Sequence, residues 1–356
     1  MLSGTGIIFS GILFCLIGSF FAFALIARKG LPSFNAPFFA VSLLVCCCMV
    51  VFALLFWLPA DFVSGVSAPA FAVPAIALPA LALLTLAFPK PWVQFIALTV
   101  CCGGIVFGFG IDIAFSAALP AVVNRFLTAL LWLTICYCPR ILNLNPGLIG
   151  IQTLALTLGG MLLYFIGALP LALGFLSACV AACFTGFLIA GRQNPNLQMS
   201  DQMSNLLGFL LGWLIIYASA EGAGSCFAIF ALYPLVEIVF AMSQKLTFLP
   251  RFAIAKNNTF YLRVIDAEMT PSIVNRHLLR INAVCVLFGS FQAFAPNDYS
   301  IPLFCLLVVL WQLYRIYNWR HISYSLKETN QKFINDVREN IQEISQNLKN
   351  KGRKKK

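Results

Sequence analysis

Charge is what this chain has least of. Only 10% of its 356 residues are charged, with 12 Asp and Glu together and two histidines. A soluble domain carries roughly a quarter charged residues, so this composition cannot supply a water-facing shell for a globular core. The histidines, His277 and His321, stand far apart, and the 13 cysteines contain no CxxC spacing. That excludes the usual spacing signatures of Cys/His metal sites. The cysteines fall inside apolar runs, as at Cys46, Cys47 and Cys48 or Cys101 and Cys102. There they read as small hydrophobes facing lipid or other helices.

What is present is apolar residue in long runs. Hydrophobic residues make up 61% of the chain, and the mean hydropathy is +0.91. Stretches of the roughly 17–25 residues a helix needs to cross a bilayer lie near 7–27, 38–58, 69–88, 92–110, 119–138, 148–168, 170–190, 204–220, 224–243, 281–296 and 301–317. The expected fold is an all-α, polytopic transmembrane bundle of about eleven spans, residues 1–317, followed by a cytoplasmic tail, residues 318–356. The first run lacks a basic segment before it and has basic residues after it, which predicts a retained span and not a cleaved signal. Pro74 and Pro79 fall inside the third span, where neighbouring helices would have to satisfy the freed carbonyls.

Basic residues alternate between connections. Arg28, Lys29, Lys90, Arg140 and Arg192 lie in odd-numbered connections, as do Lys245, Arg251, Lys256, Arg263, Arg276 and Arg280 in the ninth. Even-numbered connections hold Asp61, Asp112, Glu221 and Asp298, and Arg125 alone breaks the pattern. Cytoplasmic loops are enriched in Lys and Arg, so the N-terminus is expected outside and the C-terminus in the cytoplasm, in the inner or plasma membrane. The net charge is +11, and the stretch after Tyr317 contributes +6 of it. Attraction to anionic lipid explains that charge more simply than nucleic acid does. In the tail, Ser325 to Glu328 fits a capping box, and Ile334, Val337, Ile341, Ile344 and Leu348 form an a/d stripe. That predicts an amphipathic helix for a partner helix or the membrane surface, with a solvated tail as the alternative. The ninth connection, 244–280, is the longest; its Phe260 and Tyr261 favour an ordered element there.

Polar groups cluster at the cytoplasmic ends of the expected spans. Asn143 and Asn145 follow the fifth, while Arg192, Asp201 and Ser204 surround the start of the eighth. Glu237 lies near the inner end of the ninth. Ionisable groups near lipid depth are costly and mark functional sites by default. The plainer alternatives are a helix cap for Ser200 or Asp201, and for Glu237 an ion pair with Lys245 or a loop arginine.

The segment Gln198 to Phe209 resembles the FMGDxGSxxLGF motif of the polyprenyl-phosphate N-acetylhexosamine-1-phosphate transferases, with Met199, Asp201, Ser204, Leu207, Gly208 and Phe209 in register. Asn143 to Gly150 is similar to that family's NLxDGxDG motif, retaining Asn143, Gly147 and Gly150. Leu130 to Thr134, with Trp132, resembles the run preceding it, Phe109 to Asp112 an outer-loop sequence, and Pro234 to Glu237 the PLxD motif. The resemblance covers about residues 85–265. It implies transfer of a sugar phosphate from a UDP-sugar to a polyprenyl phosphate, releasing UMP, in cell-envelope glycan synthesis. By the same resemblance Asp201 would hold Mg2+, Asn143 and Asn145 would be catalytic, and Arg192, Ser204 and Glu237 would bind substrate. Four family features differ: Ala87 to Pro91 replaces an Asp-Asp pair, Pro146 and Ile149 replace the two aspartates of DGxDG, Asn258 to Tyr261 lacks the family histidine, and the first inner loop is short. Two other readings stay open: a non-catalytic relative that binds the lipid carrier or a partner, and a transporter.

Overall fold

A computed structural model describes residues 73–88, 90–111, 113, 119–143, 146–193, 199–243, 259–266 and 269–318. The first two expected spans, Asn145 and the tail helix lie outside them. Among the described residues every regular element is helical. Five helices are long and apolar enough to cross a membrane, and a bent pair makes a sixth crossing if counted as one span. The chain is therefore an all-helical protein with the build of an integral membrane protein.

The five are α2 (Pro91–Phe109), α3 (Ala121–Leu142), α4 (Pro146–Ile166), α5 (Leu171–Gln193) and α6 (Asp201–Ala220), preceded by α1 (Leu78–Ala87). Then come α7 (Gly224–Phe230), α8 (Leu232–Ser243), α9 (Phe260–Asp266), α10 (Pro271–Gln292) and α11 (Ser300–Tyr317). Close contacts divide the chain into Met1–Val309 and Leu310–Lys356, a boundary that falls inside α11. In the second unit the Arg315 guanidinium lies over the Trp311 ring at 5.8 Å.

Three expected spans differ in detail, each for a reason written in the residues. Around Pro74 and Pro79 the helix opens into a π turn, Val73–Ala77, before α1 begins. A proline inside a helix removes a donor and pushes away the carbonyl four residues back, and a π turn absorbs that misfit. The ninth expected span is broken into α7 and α8, which meet at 59°. Pro234 sits so that its missing N–H would have served Phe230, the last residue of α7. The tenth begins at Pro271, well before the apolar stretch at 281. Hydropathy discounts Arg276, His277 and Arg280. The helix is held by a one-sided stripe of Val274, Leu278, Ile281, Cys285 and Gly289, buried at helical spacing.

Two antiparallel pairs dominate the packing: α4 with α5, and α3 with α6. The first pair turns at Gly167, whose φ of +84° favours glycine. Close approach elsewhere depends on residues without a side chain. The Phe230 ring lies against Gly159 of α4 and Gly289 of α10, so that one aromatic bridges α7 to both. Along α3 and α6, Gly212 lies beneath the Trp132 indole and Gly208 beneath the Cys136 carbonyl. Small residues at such crossings let helices pack closely in lipid, where no hydrophobic force between them exists.

Gly208→Ala should destabilise the protein. The added carbon meets Cys136 backbone atoms, not a movable side chain, and overpacking of this kind costs about 1–3 kcal/mol. Gly104→Ala meets nothing within 4 Å and should leave the melting temperature in detergent unchanged. Thermal melting of the two variants side by side checks both expectations.

Candidate functional site

The site grows from the seam between α3 and α6. Trp132, Cys136, Arg140 and Asn143 succeed one another along one face of α3 at helical spacing. Trp132 Nε1 donates to the Phe209 carbonyl at 2.9 Å, and its ring stacks on Phe209 at 4.8 Å between centroids. Trp213 lies 5.4 Å from the same ring. These contacts fix the register in which α3 ends beside the start of α6.

At that end the residue following α3 is Asn143, which is buried. Its amide nitrogen donates to the Met199 carbonyl, and its oxygen accepts from the Met199 N–H at 3.3 Å. The side chain thus acts as a two-point clamp on the segment leading into α6. Ser200 caps the helix, its hydroxyl accepting from Met203 N–H at 3.3 Å. Ser204 is buried, and its hydroxyl donates to the Ser200 carbonyl at 3.0 Å. Asp201 opens α6, where a carboxylate suits the positive end of the helix. It pairs with Arg140 at 2.9 Å, the two side chains 45% and 27% exposed. A third helix joins through Gln94 of α2, which donates to the Gln202 carbonyl at 2.8 Å. Gln94 also accepts from Asn205 Nδ2 at 3.2 Å.

Asn143, Asp201 and Ser204 therefore meet in one corner, and Ser200, not Asp201, is the cap. Glu237 belongs to a different set. It is buried in α8, accepting from the Tyr233 hydroxyl at 3.1 Å and from the Tyr261 N–H at 2.9 Å. Tyrosine and backbone thus hold it where the sequence suggested a cation. The partner helix α9 is pinned by Phe260 against Phe240 at 5.9 Å and by Arg263 over the Phe240 ring at 5.2 Å. The Tyr261 hydroxyl is enclosed, and burial pushes its pKa up to about 12. Arg192 falls in the last turn of α5, with its side chain outside the described residues, as is all of Asn145.

The corner adjoins a half-open apolar groove of about 470 Å³ bordered by α3, α4, α6, α7 and α8. Pro139 and Leu142 of α3, Ile149 of α4, and Leu235 and Ile238 of α8 line it. At the two positions where the family resemblance expects aspartate, Pro146 starts α4 and Ile149 forms groove wall. Sequence reasoning used Arg140 only as a loop charge. Its place three residues before Asn143, in the last turn of α3, was the available signal for more. Gln94 was missed because a single amide in an apolar run carries no motif.

Mg2+ takes oxygen ligands, commonly one or two carboxylates besides phosphate and water. Among the described residues, no three of His, Cys, Asp or Glu converge. The corner holds one carboxylate, engaged by Arg140, and the Asn143 amide is spent on Met199. The described residues of the corner thus offer such an ion a single carboxylate, Asp201, which is already paired with Arg140.

No protein-family model matches the chain, and no curated protein is significantly similar to it. The site stands on its own geometry.

Asn143→Ala should cost about 1–3 kcal/mol, because it strands a buried N–H and a buried carbonyl of Met199. Arg140→Gln should cost about 1 kcal/mol or less, since the pair it breaks is partly exposed. Melting in detergent should rank the two variants in that order.

Proposed function

We propose that the protein is a transferase-like membrane protein that moves a sugar phosphate from a UDP-sugar to a polyprenyl phosphate at the cytoplasmic face. The observation that carries this reading is the junction of groove and corner. Pro139 and Leu142 line the apolar groove, while their chain neighbours Arg140 and Asn143 build the polar corner. A lipid chain in the groove would bring its phosphate to the corner where Arg140, Asn143, Asp201 and Ser204 gather. There an oxygen of the lipid phosphate would attack the sugar-bearing phosphorus, and the bond to UMP would break. Alignment of two such anions needs positive charge beside them, which Arg140 supplies and Asp201 orients.

The surrounding topology is eleven spans with the N-terminus outside. The basic C-terminal tail would then face the cytoplasm, and the setting would be envelope glycan synthesis. The alternation of basic connections supports that orientation, and a cytoplasmic face is where a soluble nucleotide sugar is found. A second reading is a non-catalytic relative that holds the lipid carrier. The engaged state of Asn143 and Asp201 favours it, because neither side chain is left poised for a substrate.

Purified protein given polyprenyl phosphate should exchange labelled UMP into a UDP-amino-sugar, and Asp201→Asn should abolish the exchange. Exchange indifferent to that substitution would remove Asp201 from the site. Folded protein inert toward a panel of UDP-amino-sugars would leave the carrier-binding reading. A fluorescent protein fused to the C-terminus should mature in the cytoplasm, and a dark fusion in cells that express it would reverse the orientation.

A further inference from the structure

The exposed side of α10 is one continuous stripe, with Arg276, Leu279, Arg280, Ala283, Leu287 and Phe291 at helical spacing. The opposite side, from Val274 to Gly289, is buried against α4 and α7. In an integral membrane protein the Leu287 and Phe291 part of that stripe is a surface for lipid tails. The two arginines continue the same surface toward the helix N-terminus. Among the described residues neither guanidinium has an ion-pair or hydrogen-bond partner, and α10 itself contains no acidic residue. By contrast Arg140 faces Asp201, and Arg263 lies over the Phe240 ring.

Length decides what meets these two arginines. At its far end α10 closes into a polar turn: Gln292 Nε2 donates to the Ala295 carbonyl at 2.9 Å and to the Pro296 carbonyl at 3.1 Å. Asp298 and Tyr299 are exposed just beyond, so that end marks one membrane surface. From there the helix reaches Arg280 after about 18 Å and Arg276 after about 24 Å, both short of the ~30 Å a hydrocarbon core measures. A short apolar segment thins the bilayer around it, and flanking arginines reach out to the lipid phosphates. An ionised group at that depth demands an anionic partner.

The two positions are one turn apart, their Cβ atoms about 6 Å from each other. Two planar guanidiniums at that spacing can grip the oxygens of a single phosphate. A zwitterionic headgroup brings its own cation to the pair, which an anionic one does not. We propose that Arg276 and Arg280 form a headgroup site for an anionic glycerophospholipid, with the lipid tails lying along Ala283 and Leu287. On the orientation proposed above this is the cytoplasmic leaflet. The site is independent of the transferase reading and rests only on α10 facing lipid.

Native mass spectrometry tests it, on the full-length protein in detergent with equimolar phosphatidylglycerol and phosphatidylcholine of the same chains. The wild type should retain one phosphatidylglycerol, favoured about tenfold or more. Arg276→Gln combined with Arg280→Gln should bring the two lipids within about threefold. Arg280→Glu should turn the preference toward phosphatidylcholine, and it carries the test if the double variant does not fold. Lys354→Gln with Lys355→Gln removes the same charge from the tail and should leave the preference intact. A preference that falls equally in the tail variant would mean diffuse attraction and overturn the site, as would an unchanged preference in the folded arginine variants. Millimolar inorganic phosphate should not displace the lipid; displacement would reassign the pair to a soluble phosphate. A dimer in lipid-free detergent that dissociates in the double arginine variant would put a second copy of the chain on this face instead.

Discussion

The close crossing of α3 and α6 governs the rest of this molecule. Gly208 and Gly212 remove the side chains that would hold the helices apart, and the Trp132 indole closes the gap by bonding the Phe209 carbonyl. In lipid, association between helices comes from packing and hydrogen bonds alone. A backbone-to-backbone approach with an indole donor across it is therefore a strong registration device. Once that register is set, the helix repeat delivers Arg140 to Asp201 and Asn143 to Met199 without further freedom. Slippage along the seam would part both pairs together.

The same helix also explains why an apolar groove and a polar corner touch. Trp132, Cys136, Arg140 and Asn143 occupy the face of α3 turned to α6. Leu131, Ile135, Cys138, Pro139 and Leu142 occupy the adjoining face and line the groove. Two stripes on one helix, offset by about one residue, give two environments that share an edge. The break between α7 and α8 at Ala231, three residues before Pro234, opens the opposite wall. A straight helix there would present an unbroken side to α3; the 59° bend instead brings lining residues from both pieces, Ala228 and Leu235, to one groove.

What could be read from the sequence follows from what each signal measures. Apolar runs report transfer free energy, so α2 to α6 were legible as helices of spanning length. Hydropathy does not report helicity, and α10 was truncated because Arg276, His277 and Arg280 lower the average without breaking the helix. Asn143 and the start of α6 were legible as polar groups at the ends of expected spans, but the clasp of the Asn143 side chain on Met199 could be read from neither segment alone. The partners of Glu237 were not. Tyr261 approaches from a separate short helix, and no local pattern announces a backbone N–H aimed at a carboxylate. Gln94 was equally silent, because one amide in an apolar run shifts no periodicity; its bonds to Gln202 and Asn205 reach across to another helix.

The commitments of the polar groups bear on chemistry more directly than their presence does. A carboxylate that faces a guanidinium is a different reagent from one that faces a metal ion. The first orients a fixed cation, and the second shares charge with a mobile one. In this corner Asp201 takes the first role, and Asn143 is spent on holding the backbone that places Asp201. On the proposed reading, positive charge for a phosphate substrate would come from Arg140, whose planar donors suit phosphate oxygens. Its strength is tempered by the carboxylate beside it. Such a pair binds an anion less tightly than a bare cation would, and releases it more readily. On the proposed lipid reading, holding power would come from the apolar groove bordered by five helices, with the partly neutralised corner meeting the phosphate. Affinity from a chain in the groove and selectivity from the polar groups beside it is the division of labour the proposed reading calls for, whether such a lipid would be turned over or only held.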